Sequence, residues 1–202
     1  MIMSRLQEVL SHNKQFVDNK EYEQFKTTKY PDKNMVILTC MDTRLTDLLP
    51  KAMNVGHGDA KIIKNAGALV SHPFGSIMRS ILVAVYSLNA KEVYVVAHYD
   101  CGMTGLSANQ ILDKSILSGI SREKIDILRH AGIDIDNWLK GFTNGAESVE
   151  ESVSSIRNHP LFPKDVPVHG LIIDPETGKL DVIVDGNEHI EKSNKDDLRH
   201  SI

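Results

Sequence analysis

Residues 35–38, Met35-Val36-Ile37-Leu38, form a short unbroken apolar run, the pattern of a strand buried on both faces of a parallel sheet. The run passes directly into Thr39-Cys40-Met41-Asp42-Thr43-Arg44. Two more segments read as strands. Ala60-Lys61-Ile62-Ile63-Lys64 is closed by Asn65-Ala66-Gly67, and Glu92-Val93-Tyr94-Val95-Val96-Ala97 runs into His98-Tyr99-Asp100-Cys101-Gly102. Between them Pro73 stands at the first turn of a helix reaching to about Leu88. Its stripe of Ile77, Met78, Ile81, Leu82 and Val85 is widened by Val83 and Ala84 beyond what one sheet face needs. Such a helix is deeply buried or meets another subunit.

From Ser107 to Asn158 the pattern is mainly helical, broken near Ser118-Gly119, Gly132 and Asn144-Gly145. Strands follow at Val168 to Ile173 and Leu180 to Val184, joined by Asp174-Pro175-Glu176-Thr177-Gly178-Lys179, a connection suited to an antiparallel hairpin. Alternating strands and helices, then a hairpin, predict an α/β fold. Three layers are expected: a mainly parallel sheet of about five strands with an antiparallel edge strand, flanked by helices. Residues 1–33 read as an N-terminal helical arm, with Leu6, Val9, Leu10 and Phe16 near helical spacing. Residues 34–185 form the α/β domain, and 186–202 a polar C-terminal tail, frayed or helical.

At 202 residues, with 41% apolar and 25% charged residues, the chain is long enough for one domain with a sizeable core. The net charge of −4 argues against a nucleic-acid binder. No apolar run approaches the roughly 20 residues that span a bilayer. The opening Met1-Ile2-Met3-Ser4-Arg5-Leu6 lacks the pattern of a secretory leader, so a cytoplasmic protein is expected.

There are two cysteines, Cys40 and Cys101, too few for a disulfide framework and short of a zinc site by themselves. Both follow strands, where open α/β sheets bind ligands beyond the carboxyl ends. His98 and Cys101 form an H-x-x-C pair on one tight turn, and a neighbouring strand would bring Cys40 beside them. Two thiolates and an imidazole suit a tetrahedral Zn²⁺ with one position left over. A cysteine at a strand end is also often only a small buried hydrophobe. In Cys40-Met41-Asp42-Thr43-Arg44, an extended backbone would turn Cys40, Asp42 and Arg44 to one side. Asp42 and Arg44 there are either an ordinary ion pair or helix cap, or a carboxylate held for use beside a metal.

These motifs together resemble the β-class carbonic anhydrases. The family pattern C-x-D-x-R, then N-A-G, then H-x-x-C-G is met by Cys40-Met41-Asp42-Thr43-Arg44, Asn65-Ala66-Gly67 and His98-Tyr99-Asp100-Cys101-Gly102. The likeness extends through Val168-His169-Gly170-Leu171-Ile172-Ile173. Departures lie in Ala68-Leu69-Val70-Ser71-His72-Pro73 and in Met103, and resemble the compact, short-insert branch of the family.

The resemblance implies a lyase that reversibly hydrates CO₂ to bicarbonate and a proton by zinc-bound hydroxide, with one Zn²⁺ per chain. Cys40, His98 and Cys101 would be the ligands, and Asp42 and Arg44 the catalytic dyad. Asp42 would also be the fourth ligand in closed forms, so that the dyad gates and orients the fourth position. Gly67 would lend a backbone N–H to substrate. A homodimer, or a tetramer, is implied.

A site charge of zero, from Zn²⁺ and two thiolates, predicts hydration that is weak near neutral pH and rises above it. His57 and His72 are candidate proton carriers by residue type alone. The same zinc set would also serve a hydrolase of carbon disulfide or carbonyl sulfide, or a non-catalytic zinc protein. A thiol redox enzyme or a phosphate-cradling cysteine loop does not fit, for want of a C-x-x-C or a long enough loop from Cys40 to Arg44.

Overall fold

The structure, a computed structural model, describes residues 3–190. Five strands form one sheet: β1 (Met35–Cys40), β2 (Ala60–Asn65), β3 (Glu92–His98), β4 (Val168–Ile173) and β5 (Leu180–Val184). Their order is β2-β1-β3-β4-β5, parallel except for the antiparallel β4–β5 pair at the edge. This is the sheet that the apolar runs predict.

Those runs are continuous because successive side chains enter two different cores. Val36, Leu38, Val93, Val95, Val168 and Ile172 face helix α3 (Ser76–Ser87) and helix α7 (Gly145–Arg157), through Met78, Ile81, Val149, Val153 and Ile156. Ile37, Val96, Leu171 and Ile173 face the other way, onto Leu45 and Leu49 of helix α2 (Leu45–Ala52). Each fully buried Leu or Ile contributes roughly 1.5–3 kcal/mol. Gly170 lets α7 approach β4 closely, since a Cβ there would lie 2.5 Å from Val149 Cγ1. A satellite core of Ala108, Leu112, Ile125 and Ile135 joins helices α4 (Ala108–Leu117), α5 (Arg122–His130) and α6 (Ile135–Leu139).

Helix α1 (Arg5–Asp18) starts at a capping box, Ser4 with Gln7, and buries none of its residues. Behind it, Phe25 packs edge-on against His57, and His57 Nε2–H donates to the Phe25 carbonyl at 2.8 Å.

Two local expectations change, and one helix, α2, stands where none was expected. The helix predicted from Pro73 begins at Ser76, because residues 72–75 close a turn in which Gly75 N–H donates to His72 O and Phe74 N–H to His72 Nδ1. Helix α2 is short and contains Pro50, which obscures its periodicity. Cys40 is the last residue of β1 rather than two beyond it. Of the polar tail, residues 186–190 are helical, and 191–202 lie outside the described residues.

Candidate metal centre

From β1 the chain adds β2 on one side, then returns to place β3 on the other. The strand order therefore reverses between β1 and β3, and this is where parallel sheets open a crevice at their carboxyl ends. Cys40 ends β1 and His98 ends β3, and the turn after His98 carries Cys101.

The Sγ atoms of Cys40 and Cys101 are 3.9 Å apart, and with His98 the ligand atoms all lie within 4.8 Å of one another. Two Zn–S bonds of about 2.3 Å at the tetrahedral angle separate their sulfurs by about 3.8 Å. His98 is buried, and its Nδ1–H donates to Tyr99 O at 2.8 Å. A carbonyl only accepts, so Nδ1 carries the proton and Nε2 presents a lone pair. That Nε2 is buried without a hydrogen-bond partner. An orphaned imidazole nitrogen facing two thiols at metal-ligand spacing fits Zn²⁺ on the protein's own geometry.

The thiols differ in their surroundings. Burial disfavours the Cys40 thiolate, but His98 and the N–H groups of Gly67 and Asp42 outweigh it and lower its pKa. The Gly67 N–H donates to Cys40 Sγ at 3.4 Å, so the amide expected to meet substrate is engaged with sulfur here. Burial raises the Cys101 thiol, with the Met103 N–H offsetting only part. The neighbouring Cys40 raises the His98 pKa.

Asp42 and Arg44 stand at the rim of this triangle. Arg44 Nε–H donates to Asp42 Oδ1 at 3.1 Å and Nη2–H to Oδ2 at 2.9 Å, a two-point pair. That pairing holds the Asp42 carboxyl down to about 2. Asp42 Oδ2 lies 3.8 Å from His98 Nε2. The extended alternation expected for Cys40, Asp42 and Arg44 is not how they converge. The chain turns at Thr43 into α2, with Leu45 N–H donating to Asp42 O, and Arg44 takes a helical conformation. Asp42 Oδ1 also accepts the Arg44 backbone N–H at 2.9 Å, so the carboxylate closes the turn that leads into α2 and is ion-pair partner at once.

A cavity of about 390 Å³ opens over the triangle, lined by Cys40, Met41, Asp42, Thr43, Ala66, Gly102 and Met103. Gly67 sits beside it at φ +83°, where a Cβ would meet Phe142 at 3.0 Å, Met103 at 3.2 Å and Leu69 at 3.3 Å. Phe142 reaches Gly67 from far along the chain. Gly105 N–H donates to its carbonyl and its own N–H donates to Met103 O, ties that no sequence motif announces. Asp100 is the other residue that motif reading missed: its carboxylate and carbonyl both accept from Arg44. His57 and His72 do not line the cavity. Among the described residues no helix is long and apolar enough to cross a membrane.

A family model described as carbonic anhydrase matches residues 35–180. The chain is 59% identical over 186 residues to "Putative carbonic anhydrase YvdA" of Bacillus subtilis, covering 92% of this chain and 94% of that protein. It is 31% identical to a carbon disulfide hydrolase of Acidianus sp., over 74% of this chain and 76% of the other. The crystal structure of β-carbonic anhydrase isoform I from Trichomonas vaginalis superposes with a TM-score of 0.83 at 35% identity. It covers 91% of this chain and all of that one.

Proposed function

Given a chain that belongs to the β-carbonic anhydrase family, we propose that this enzyme catalyses the reversible hydration of CO₂ to bicarbonate and a proton with one zinc ion per chain. The observation that carries the reading is an ionised carboxylate, Asp42, held in two places by Arg44 with an oxygen 3.8 Å from the orphaned His98 Nε2. A metal that only braced the fold would need no such pair.

Cys40, His98 and Cys101 would hold the zinc. Bound there, it would supply a Lewis acid that lowers the pKa of water and so makes it nucleophilic. Asp42 accepts a hydrogen bond from the attacking water and aims its oxygen lone pair at the carbon of CO₂. Arg44 keeps Asp42 ionised and oriented. Both Asp42 oxygens are engaged by Arg44, which would hold the carboxylate back from the ligand set. Released from Arg44, Asp42 would be the residue to fill the fourth position and shut the site. Carbon–oxygen bond formation yields bicarbonate, and the proton leaves to solvent. Met41, Ala66 and Met103 give the cavity an apolar wall suited to a small uncharged gas molecule, and Phe142 and Leu69 pack with Met103 against Gly67 beside it.

Stopped-flow CO₂ hydration, with zinc content measured on the same sample, tests this. Turnover that follows zinc stoichiometry supports it, and a zinc-replete protein without turnover overturns it. Carbon disulfide or carbonyl sulfide is the second reading, favoured by the same apolar wall and by the likeness to a carbon disulfide hydrolase. Turnover of these gases measured beside CO₂ decides between them.

We further propose a homodimer. Phe74, Val83 and Tyr86 are exposed around α3, and Leu6, Val9, Leu10 and Val17 are exposed on α1, and each set offers apolar surface to a second copy. A reducing compartment, the cytoplasm, suits a site built on two free thiols. Sedimentation analysis and cell fractionation test these two points.

A further inference from the structure

We infer that Asp100 is a positioning residue for the proposed reaction, holding Arg44 from the side opposite Asp42 with both its carboxylate and its backbone carbonyl. The inference rests on the CO₂-hydration reading for its consequence, and on geometry for its substance. Arg44 Nη1–H donates to Asp100 Oδ2 at 3.0 Å, and Nη2–H donates to Asp100 O at 3.0 Å. With the two bonds to Asp42, four of the five N–H donors of the guanidinium are assigned. A planar fork held at one edge can still swing about that edge. A fork held at two edges cannot.

The carbonyl reaches Arg44 because Asp100 adopts a left-handed backbone, φ +53°, which Asp and Asn tolerate better than other residues with a Cβ. His98 and Cys101 flank this position. One turn therefore presents both the imidazole and the second thiol, and also braces the arginine that orients Asp42. Any shift of the ligand turn moves Arg44 with it, so the dyad stays in register with the triangle. The Asp100 side chain is 86% exposed, so screening leaves the ion pair little stabilising value and its contribution is orientation.

The test uses the zinc-loaded protein and two substitutions that both suit a left-handed backbone. Asp100→Gly keeps the turn and the carbonyl but removes the side chain. Asp100→Asn keeps an acceptor oxygen in the same place. The expected result for Asp100→Gly is a fall in kcat of about 10-fold, with KM, zinc content and melting temperature near those of the parent. Asp100→Asn should restore kcat to within about threefold.

A second readout is independent of turnover. The guanidinium N–H resonances of Arg44 should be distinct in the parent and in Asp100→Asn, and averaged by rotation in Asp100→Gly. Unchanged kcat and resonances in Asp100→Gly would overturn the inference, as would loss of zinc in step with activity. If the zinc-replete parent hydrates no CO₂, the functional reading fails. The resonance comparison still decides whether Asp100 holds Arg44.

Discussion

Cys40 Sγ and Cys101 Sγ, 61 positions apart in sequence, meet at 3.9 Å because β1 and β3 are neighbours whose ends face one crevice. With His98 Nε2 they form the one group of three such ligands found among the described residues. Cys101→Ser should therefore leave the protein with substoichiometric zinc after purification, measured by elemental analysis. Chelation of the parent should lower its melting temperature, since an ion bound only by the folded chain stabilises it.

Asp42→Asn should separate metal binding from turnover. Asparagine keeps an oxygen for the Arg44 backbone N–H in the turn before α2 but has no charge for Arg44 to hold and is a poor acceptor for a reacting O–H. A loss of about 100-fold or more in kcat/KM is expected with zinc retained. Parent-like turnover would remove Asp42 from the mechanism.

The pH profile carries a sign that the structure sets. Arg44 lowers the Asp42 pKa to about 2, so Asp42 is already ionised throughout the working range and cannot be the group that switches activity on. Turnover is expected to rise between about pH 6.5 and 9, as a site of zero net charge requires. Zinc uptake has the opposite dependence on acid. The Cys101 thiol is raised by burial and must lose its proton to bind, so affinity falls as pH falls. Zinc titration of the metal-free protein near pH 8 should release roughly one to two protons, read with an indicator dye.

Packing of α7 on β4 gives a stability test away from the site. A methyl group at Gly170 would lie 2.5 Å from Val149 Cγ1 and 3.1 Å from Val153 Cγ2, so Gly170→Ala should cost about 1–3 kcal/mol in chemical denaturation. Gly145→Ala is the control. Its nearest neighbours would be Ile172 at 3.9 Å and Phe142 at 4.0 Å, ordinary contact at a helix start, and little change is expected.

Val83 is 44% exposed on α3, and a charge there does not enter the core. Val83→Glu should leave the fold intact by circular dichroism while shifting the sedimenting species from dimer toward monomer.

The centre of the sheet was legible because β1, β3 and β4 are buried on both faces. Met35 to Leu38 and Val93 to Ala97 are apolar at consecutive positions, which local pattern reading detects well. Helix α2 was not legible, since eight residues containing Pro50 carry too little periodicity. The candidate ligands were readable because the chain has only two cysteines, both following strands. The convergence of Asp42 on them was expected for the wrong reason: an extended alternation was read where the chain turns into a helix.

What the sequence determined by itself is therefore the set of strands and the short motifs, both local properties of residue type and spacing. Only the tertiary structure decided that β1 and β3 lie side by side with their ends in register. It alone placed Phe142 against Met103, and engaged Gly67 N–H with Cys40 rather than leaving it free. It also bent Asp100 onto Arg44. These contacts join residues tens of positions apart, or depend on one left-handed backbone angle, and hydrophobic periodicity carries no record of either.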